Sequence, residues 1–155
     1  MLYRPYKPED FAQLYAIEEA CFTPRFRFGR RYMRQLVGRS NAATWIAEED
    51  GRMSGFAIVE WTRERGGTVA YMQTLEVVPD RRGQGVGGEL LCRAEDSARV
   101  VGAQRIWLHV DAKNVEAIRI YEARGYLCEG REENYYARRR AALIYAKPLE
   151  SAMAN

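Results

Sequence analysis

Histidine is almost missing from this chain: His109 is the only one among 155 residues. With one imidazole and three scattered thiols, Cys21, Cys92 and Cys128, no metal site is expected. The cysteines form no C-x-x-C pair and no even framework, which argues against a disulfide scaffold and for a reducing, cytosolic compartment. No apolar run nears the roughly 20 residues that cross a bilayer, so no membrane partner is expected. Arg4 and Pro5 interrupt the N-terminal segment before a signal-peptide core can form. Acid and base nearly balance at a net charge of +3, which suits an anionic cofactor but is too little for a nucleic-acid partner. Repeats, low-complexity tracts and linkers are also missing, so residues 1–155 read as one domain. A hydrophobic fraction of 47% is ordinary for a globular core and excludes disorder as the default.

What is present is concentrated in one stretch, Leu75-Glu76-Val77-Val78-Pro79-Asp80-Arg81-Arg82-Gly83-Gln84-Gly85-Val86-Gly87-Gly88-Glu89. A β-branched strand stops at Pro79, a basic glycine-rich turn follows, and an amphipathic helix begins. Glycines let the turn's backbone come close to a ligand, and its amides and those of the first helical turn favour negative charge. Arg81 and Arg82 add formal charge. A phosphate-bearing ligand is therefore expected, with an unliganded strand-to-helix turn as the competing reading. A Walker A loop would need Gly-Lys-Ser/Thr where Gly87-Gly88-Glu89 stands. Gly83, Gly85 and Gly88 do fit G-x-G-x-x-G, but a dinucleotide fold would place that motif at the start of a βαβ series.

The rest of the chain supplies the frame. Leu2 to Tyr6 reads as a strand, and Pro8-Glu9-Asp10 opens a helix whose apolar stripe is Phe11, Leu14, Ile17 and Ala20. A short helix is expected from Arg30 to Val37, and strands over 44–49, 54–62 and 68–78. A helix over 85–101 stops at Gly102. A strand over 105–110, a helix over 114–124 and strands near 126–132 and 141–147 complete the order β-α-α-β-β-β-α-β-α-β-β. A meander leading into a βαβ unit makes an α/β (α+β) mixed sheet with helices on both faces.

Arg82-Gly83-Gln84-Gly85-Val86-Gly87, preceded by V-x-P, resembles the acetyl-coenzyme A signature R-x-x-G-x-G of the GNAT N-acetyltransferase superfamily, and the element order matches as well. Trp107-Leu108-His109-Val110, Asn114-x-x-Ala117-x-x-x-Tyr121-Glu122-x-x-Gly125-Tyr126 and Asn134-Tyr135-Tyr136 narrow the resemblance to the protein N-terminal acetyltransferases. These are the RimI-type, ribosomal-protein-alanine enzymes and the catalytic subunits of the eukaryotic Nat complexes. The resemblance implies a central, mostly antiparallel sheet of about seven strands, acetyl-CoA as cofactor, and a protein or peptide N-terminus as acceptor. It assigns the cofactor to Leu75 and Val77, the turn Arg82, Gly83, Gln84, Gly85, Val86 and Gly87, and Asn114 and Tyr121. The acceptor would lie between Phe22, Thr23, Pro24 and Arg25 on one side and Tyr135 and Tyr136 on the other.

Acetyl transfer to an amine needs an acid for the leaving thiolate and a base for the ammonium. Tyr121 follows Asn114 by two helical turns and shares its face; a phenol of pKa about 10 can protonate a thiolate. His109 alternates against Ile106, Leu108 and Val110, so it faces away from the apolar set and is a candidate base. Tyr71 is the second candidate. Period-2 alternation puts Tyr71, Gln73 and Leu75 on one face and turns Glu76 to the other as a sheet-surface charge, unless a bulge intervenes. Cys92 is expected to be a buried thiol with no chemical role. Other acceptors in the same enzyme class are a lysine side chain, a polyamine or another small amine; a non-catalytic acyl-CoA sensor is the reading outside it. Arg25, Arg27, Arg30 and Arg31 make a dense basic cluster that would favour an acidic acceptor or simply form a solvated face.

Overall fold

The first proline and the two acids after it do open a helix, but through a 3₁₀ turn, Pro8–Asp10, that feeds α1 (Phe11–Cys21). Asp10 is buried there because it accepts from Arg4 at 2.8 and 2.9 Å and from the Lys7 amide at 2.7 Å. The buried stripe of α1 is Phe11, Leu14, Tyr15, Ile17 and Glu18; Ala20 is exposed, contrary to the periodicity expected. Helix α2 (Arg30–Val37) keeps the expected boundaries. At eight residues it is too short to hold itself. Met33 and Leu36, both fully buried, dock it, and the Arg34 guanidinium lies 3.9 Å from the Phe11 ring.

The computed structural model describes residues 1–150, in which seven strands form one sheet. These are β1 (Leu2–Pro5), β2 (Ala42–Glu49), β3 (Arg52–Glu64), β4 (Gly67–Val77), β5 (Ala103–Asp111), β6 (Leu127–Ala137) and β7 (Arg140–Pro148), in the spatial order β1-β2-β3-β4-β5-β7-β6. Only β4 and β5 run parallel, because α3 (Val86–Val100) crosses between them; every other pairing is antiparallel. Helix α4 (Val115–Ala123) joins β5 to β6. Alternation along β3 shows two covered faces. Ala57 and Val59 belong to a core with Leu90, Leu91, Ala94 and Ala98 of α3 and Tyr121 of α4. Phe56 and Ile58 belong to a second core with Leu14 and Ile17 of α1 and Met33 and Leu36 of α2. None of the described helices is long and apolar enough to cross a membrane.

Two irregularities place the site. Ile58 pairs with Thr74 while Val59 pairs with Met72, so Gln73 is an extra residue bulged out of β4. In addition, β4 and β5 are in register only from Thr68–Ala103 to Tyr71–Trp107. Beyond that point β4 stays with β3 as far as Val77, and β5 stays with β7 as far as Asp111. The sheet therefore splits into a V whose vertex is the Tyr71–Trp107 pair. From Met72 onward the inner edge of β4 has main-chain groups with no neighbouring strand.

Candidate active site

The V opens into a cleft of about 1040 Å³. Met72 to Leu75 line it from β4, and His109, Val110, Asp111, Lys113, Asn114, Ala117 and Tyr121 line it from β5 and α4. Glu18, Cys21, Phe22, Thr23, Arg25, Phe26, Phe28 and Tyr32 close it from α1 and α2, and Tyr135, Tyr136 and Arg140 from the β6–β7 hairpin. Eight of the expected site residues besides Tyr71 and Leu75 thus meet in one cavity: His109, Asn114, Tyr121, Phe22, Thr23, Arg25, Tyr135 and Tyr136. Pro24 does not join them; it is exposed, with its neighbours Thr23 and Arg25 on the wall.

Val77 and residues 82–87 lie past this lining, where β4 runs into α3. Gly83 (φ 76°) and Gly85 (φ 84°) hold left-handed conformations, and a Cβ built on either would meet nothing within 4 Å. Glu89 donates to the Gly85 carbonyl at 3.1 Å, but the amides of residues 83–88 have no acceptor among the described residues. A free-amide cradle of this kind is what an anionic group needs. Gly87 differs from the expectation. It sits inside α3, and a Cβ there would come 3.1 Å from Ile120 Cδ1, so its small size serves helix packing. The Val86 side chain is in the core, which leaves only its amide to face a ligand. Of the two arginines, Arg81 is engaged by Glu49 at 2.8 Å. Arg82 folds back to donate to the Val77 carbonyl at 2.9 Å and to Cys21 Sγ at 3.5 Å. Asn114 accepts from the Ala117 amide at 3.2 Å and so caps α4, which leaves its side-chain NH₂ for the cleft.

At the vertex the Tyr71 hydroxyl is 2.8 Å from His109 Nδ1. Burial pushes the Tyr71 phenol up, and the neighbouring Tyr135 adds to the shift. The Tyr135 ring stacks on the imidazole at 4.3 Å and 10°, and Tyr136 meets Tyr135 edge-on at 4.9 Å. Burial also raises Tyr121 and Tyr136, so all three phenols hold their protons firmly. Tyr135 and Tyr136 are not on a loop: β6 extends through them to Ala137, with Asn134 at φ 57° accepting from the Arg139 amide at 2.7 Å.

The bulge at Gln73 reverses the parity expected after it. Tyr71 shares its face with Thr74 and Glu76, while Leu75 and Val77 turn to the α3 core. Glu76 is therefore no surface charge. It is 3% exposed and set against Glu18, which is 1% exposed. Glu76 accepts from the Thr74 hydroxyl at 2.6 Å, and Glu18 accepts from the Phe28 amide at 2.9 Å. One oxygen on each, Glu18 Oε1 and Glu76 Oε1, has no other partner. Burial, and then the adjoining Glu18 carboxyl, push Glu76 well up. Both effects favour the neutral, protonated form of the Glu76 carboxyl. Cys92 is half-buried, not fully enclosed as expected, and Cys21 is half-buried with a thiol raised by burial.

The basic cluster disperses once folded. Arg27 donates to the carbonyls of Phe22 at 3.0 Å and Glu19 at 3.2 Å, and Arg30 lies 4.7 Å from the Tyr15 ring. Arg31 is exposed outside the cleft, so only Arg25 of the four reaches it. Across from it Arg140 is bonded to Asp111 and packs on the Phe26 ring at 5.1 Å. Sequence reasoning misplaced Glu76 and assigned no role to Glu18 or to Glu132, which lies 3.3 Å from His109 Nε2. Alternation alone points Glu76 elsewhere, whereas Glu18, four residues after Leu14, falls on the buried stripe of α1; Glu132 ends the strand expected near 126–132, but nothing local pairs it with His109.

Comparison with known proteins places the chain. Residues 11–126 match the model of the Acetyltransferase (GNAT) family. The chain is 34% identical over 98 residues to streptothricin acetyltransferase of Streptomyces lavendulae, covering 63% of this chain and 51%, about half, of that protein. It is 33% identical over 104 residues to the [ribosomal protein bS18]-alanine N-acetyltransferase of Escherichia coli K12, covering 65% and 68%. The crystal structure of the E. coli ribosomal-protein-S18-alanine N-acetyltransferase superposes with a TM-score of 0.84 at 26% identity, covering 99% of this chain and 97% of that one. N-alpha-acetyltransferase 30 of Schizosaccharomyces pombe is 30% identical over 129 residues, 83% of each chain.

Proposed function

The chain belongs to the GNAT acetyltransferase family, and from that premise we propose that it acetylates the terminal α-amine of a protein or peptide, by direct attack and with no covalent enzyme intermediate. The observation that carries this reading is the Tyr71–His109 pair at the vertex of the cleft, 2.8 Å apart and roofed by Tyr135 and Tyr136. A proton-accepting pair and an aromatic peptide wall occupy one cavity, and the relatives include a [ribosomal protein bS18]-alanine N-acetyltransferase and an N-alpha-acetyltransferase.

The cofactor end fits acetyl-CoA. The amides of residues 83–88 have no acceptor among the described residues, and nothing stands where a Cβ on Gly83 or Gly85 would project. The unpaired edge of β4 at Leu75 and Val77, the side-chain NH₂ of Asn114 and the Arg82 guanidinium complete the binding residues. When bound, acetyl-CoA supplies the electrophilic thioester carbonyl. The protein's own part is to bind, orient and move protons. Fixed N–H dipoles on the β4 edge favour developing negative charge at a few kcal/mol per donor. Tyr121, kept in its acid form by burial, holds a proton at its hydroxyl for a leaving thiolate. Tyr71 receives the ammonium proton as it passes its own to His109. Phe22, Thr23 and Arg25 opposite Tyr135 and Tyr136 hold the first residues of the acceptor.

Incubation with acetyl-CoA and a library of short peptides varied at their first two residues tests the proposal. Acetylation is expected on free N-termini and not on N-terminally blocked peptides with internal lysines. Modification of lysines or small amines alone would reverse the choice of acceptor.

A further inference from the structure

The two nitrogens of His109 face partners of different chemistry. Nδ1 is 2.8 Å from the Tyr71 hydroxyl, and Nε2 is 3.3 Å from Glu132 Oε1. An ionised carboxylate only accepts, so the neutral imidazole that satisfies both contacts carries its hydrogen on Nε2 and donates it to Glu132. Nδ1 then keeps its lone pair and accepts the Tyr71 O–H. Trp107, 5.3 Å away, and Tyr135, stacked at 4.3 Å, confine the plane of the ring but do not distinguish one nitrogen from the other. Glu132 does, and among the described residues it has no ion-pairing contact other than this one.

Resting on the proton path assigned above, we propose that Glu132 is a positioning residue that fixes the tautomer of His109 and so sets the direction of proton flow. With both ring nitrogens engaged, neither points at an acceptor. The Tyr71 oxygen is the atom in contact with the amine. The N–H bond of the ammonium breaks and its proton joins Tyr71 Oη; in the same step the Tyr71 O–H bond breaks and its proton joins His109 Nδ1. One proton moves from ammonium to imidazole, Tyr71 ends as it began, and Glu132 stays ionised beside the imidazolium. The Glu132 side chain is 47% exposed against 10% for His109. Solvent therefore screens its charge, and its contribution is chiefly geometric.

A single histidine makes the test direct, because ¹⁵N-histidine labelling yields one imidazole. In the wild type at alkaline pH, Nε2 is expected to carry the hydrogen. Glu132→Leu is expected to give a mixture of tautomers and to lower kcat about three- to tenfold, with KM for acetyl-CoA and Tm unchanged. Glu132→Gln keeps an oxygen that accepts from Nε2–H, so it is expected to retain the tautomer and recover part of kcat. A hydrogen on Nδ1 in the wild type overturns the proposal. So does a Glu132→Leu variant with unaltered tautomer and kcat. The tautomer is read without turnover: an enzyme inactive on every peptide would sink the proposed function, while the nitrogen shifts would still decide the role of Glu132.

Discussion

Replacing Glu76 with glutamine sets a number on the buried carboxylate pair. A glutamine has the same shape. Its NH₂ offers a donor to the unpartnered Glu18 Oε1, and its carbonyl can accept from the Thr74 hydroxyl in place of the contact at 2.6 Å. What changes is linkage. An unfolded glutamate ionises near pH 4.3, whereas Glu76 in the folded protein is held well above that by burial and by Glu18. Between those two values the native state binds one proton more than the unfolded state, so native stability falls as pH rises. The wild type loses up to about 1.4 kcal/mol per pH unit across that window, and the variant, neutral in both states, does not. Each pH unit inside that window is worth roughly 3–5 °C in Tm for a chain of this size, in favour of the variant. Thermal melts of both proteins without acetyl-CoA, so that ligand linkage does not enter, read this difference directly. Wild-type and variant Tm curves that stay parallel from pH 5 to pH 7 would show that Glu76 is ionised in the folded protein.

Tyr71→Phe and His109→Gln are each expected to lower kcat about 100-fold with little change in KM for acetyl-CoA, and the double variant is expected to be no worse than either one. Losses that multiply in the double variant would mean two independent roles instead of one proton path. Arg25 lines the cleft and has no carboxylate within 4.0 Å among the described residues. Peptides with an acidic second or third residue are expected to exceed their lysine counterparts about three- to tenfold in kcat/KM, less at high salt, with the order reversed in Arg25→Glu. An unchanged order in the variant removes Arg25 from acceptor recognition.

The regular parts of the fold were legible because local signals agreed. Helix α2 sits between Gly29 and Gly38 as those breakers bound it, and His109 faces the cleft as alternation against Ile106, Leu108 and Val110 requires. The glycine turn was legible for the same reason, except at Gly87, where one residue type answers two demands and the sequence does not say which. Parity fails where the backbone breaks its own period. A single bulged Gln73 moves Leu75 and Glu76 to the opposite faces, and no local composition announces it. Strand β6 was cut short because an edge strand with nearly every residue exposed has no apolar alternation to read. The strand placement of Tyr135 and Tyr136 went with it. Glu18 was hidden by its charge, since a buried acid is legible only once its partner is known.

The V in the sheet has a mechanical side. Four register pairs, Thr68–Ala103 to Tyr71–Trp107, join its two halves, and the arms beyond them share no main-chain bonds. Tyr71 rides on one arm at the vertex. His109 rides on the other, two residues past Trp107 and thus about 7 Å along its strand. When such a hinge flexes, displacement grows with distance from the vertex. A rotation there would be felt most at the far ends of the arms, where a cofactor and a peptide must enter and leave. Beside the hinge the same rotation moves a phenol and an imidazole by a fraction of that. Placing the proton path beside the vertex therefore puts it where any movement of the arms would disturb it least.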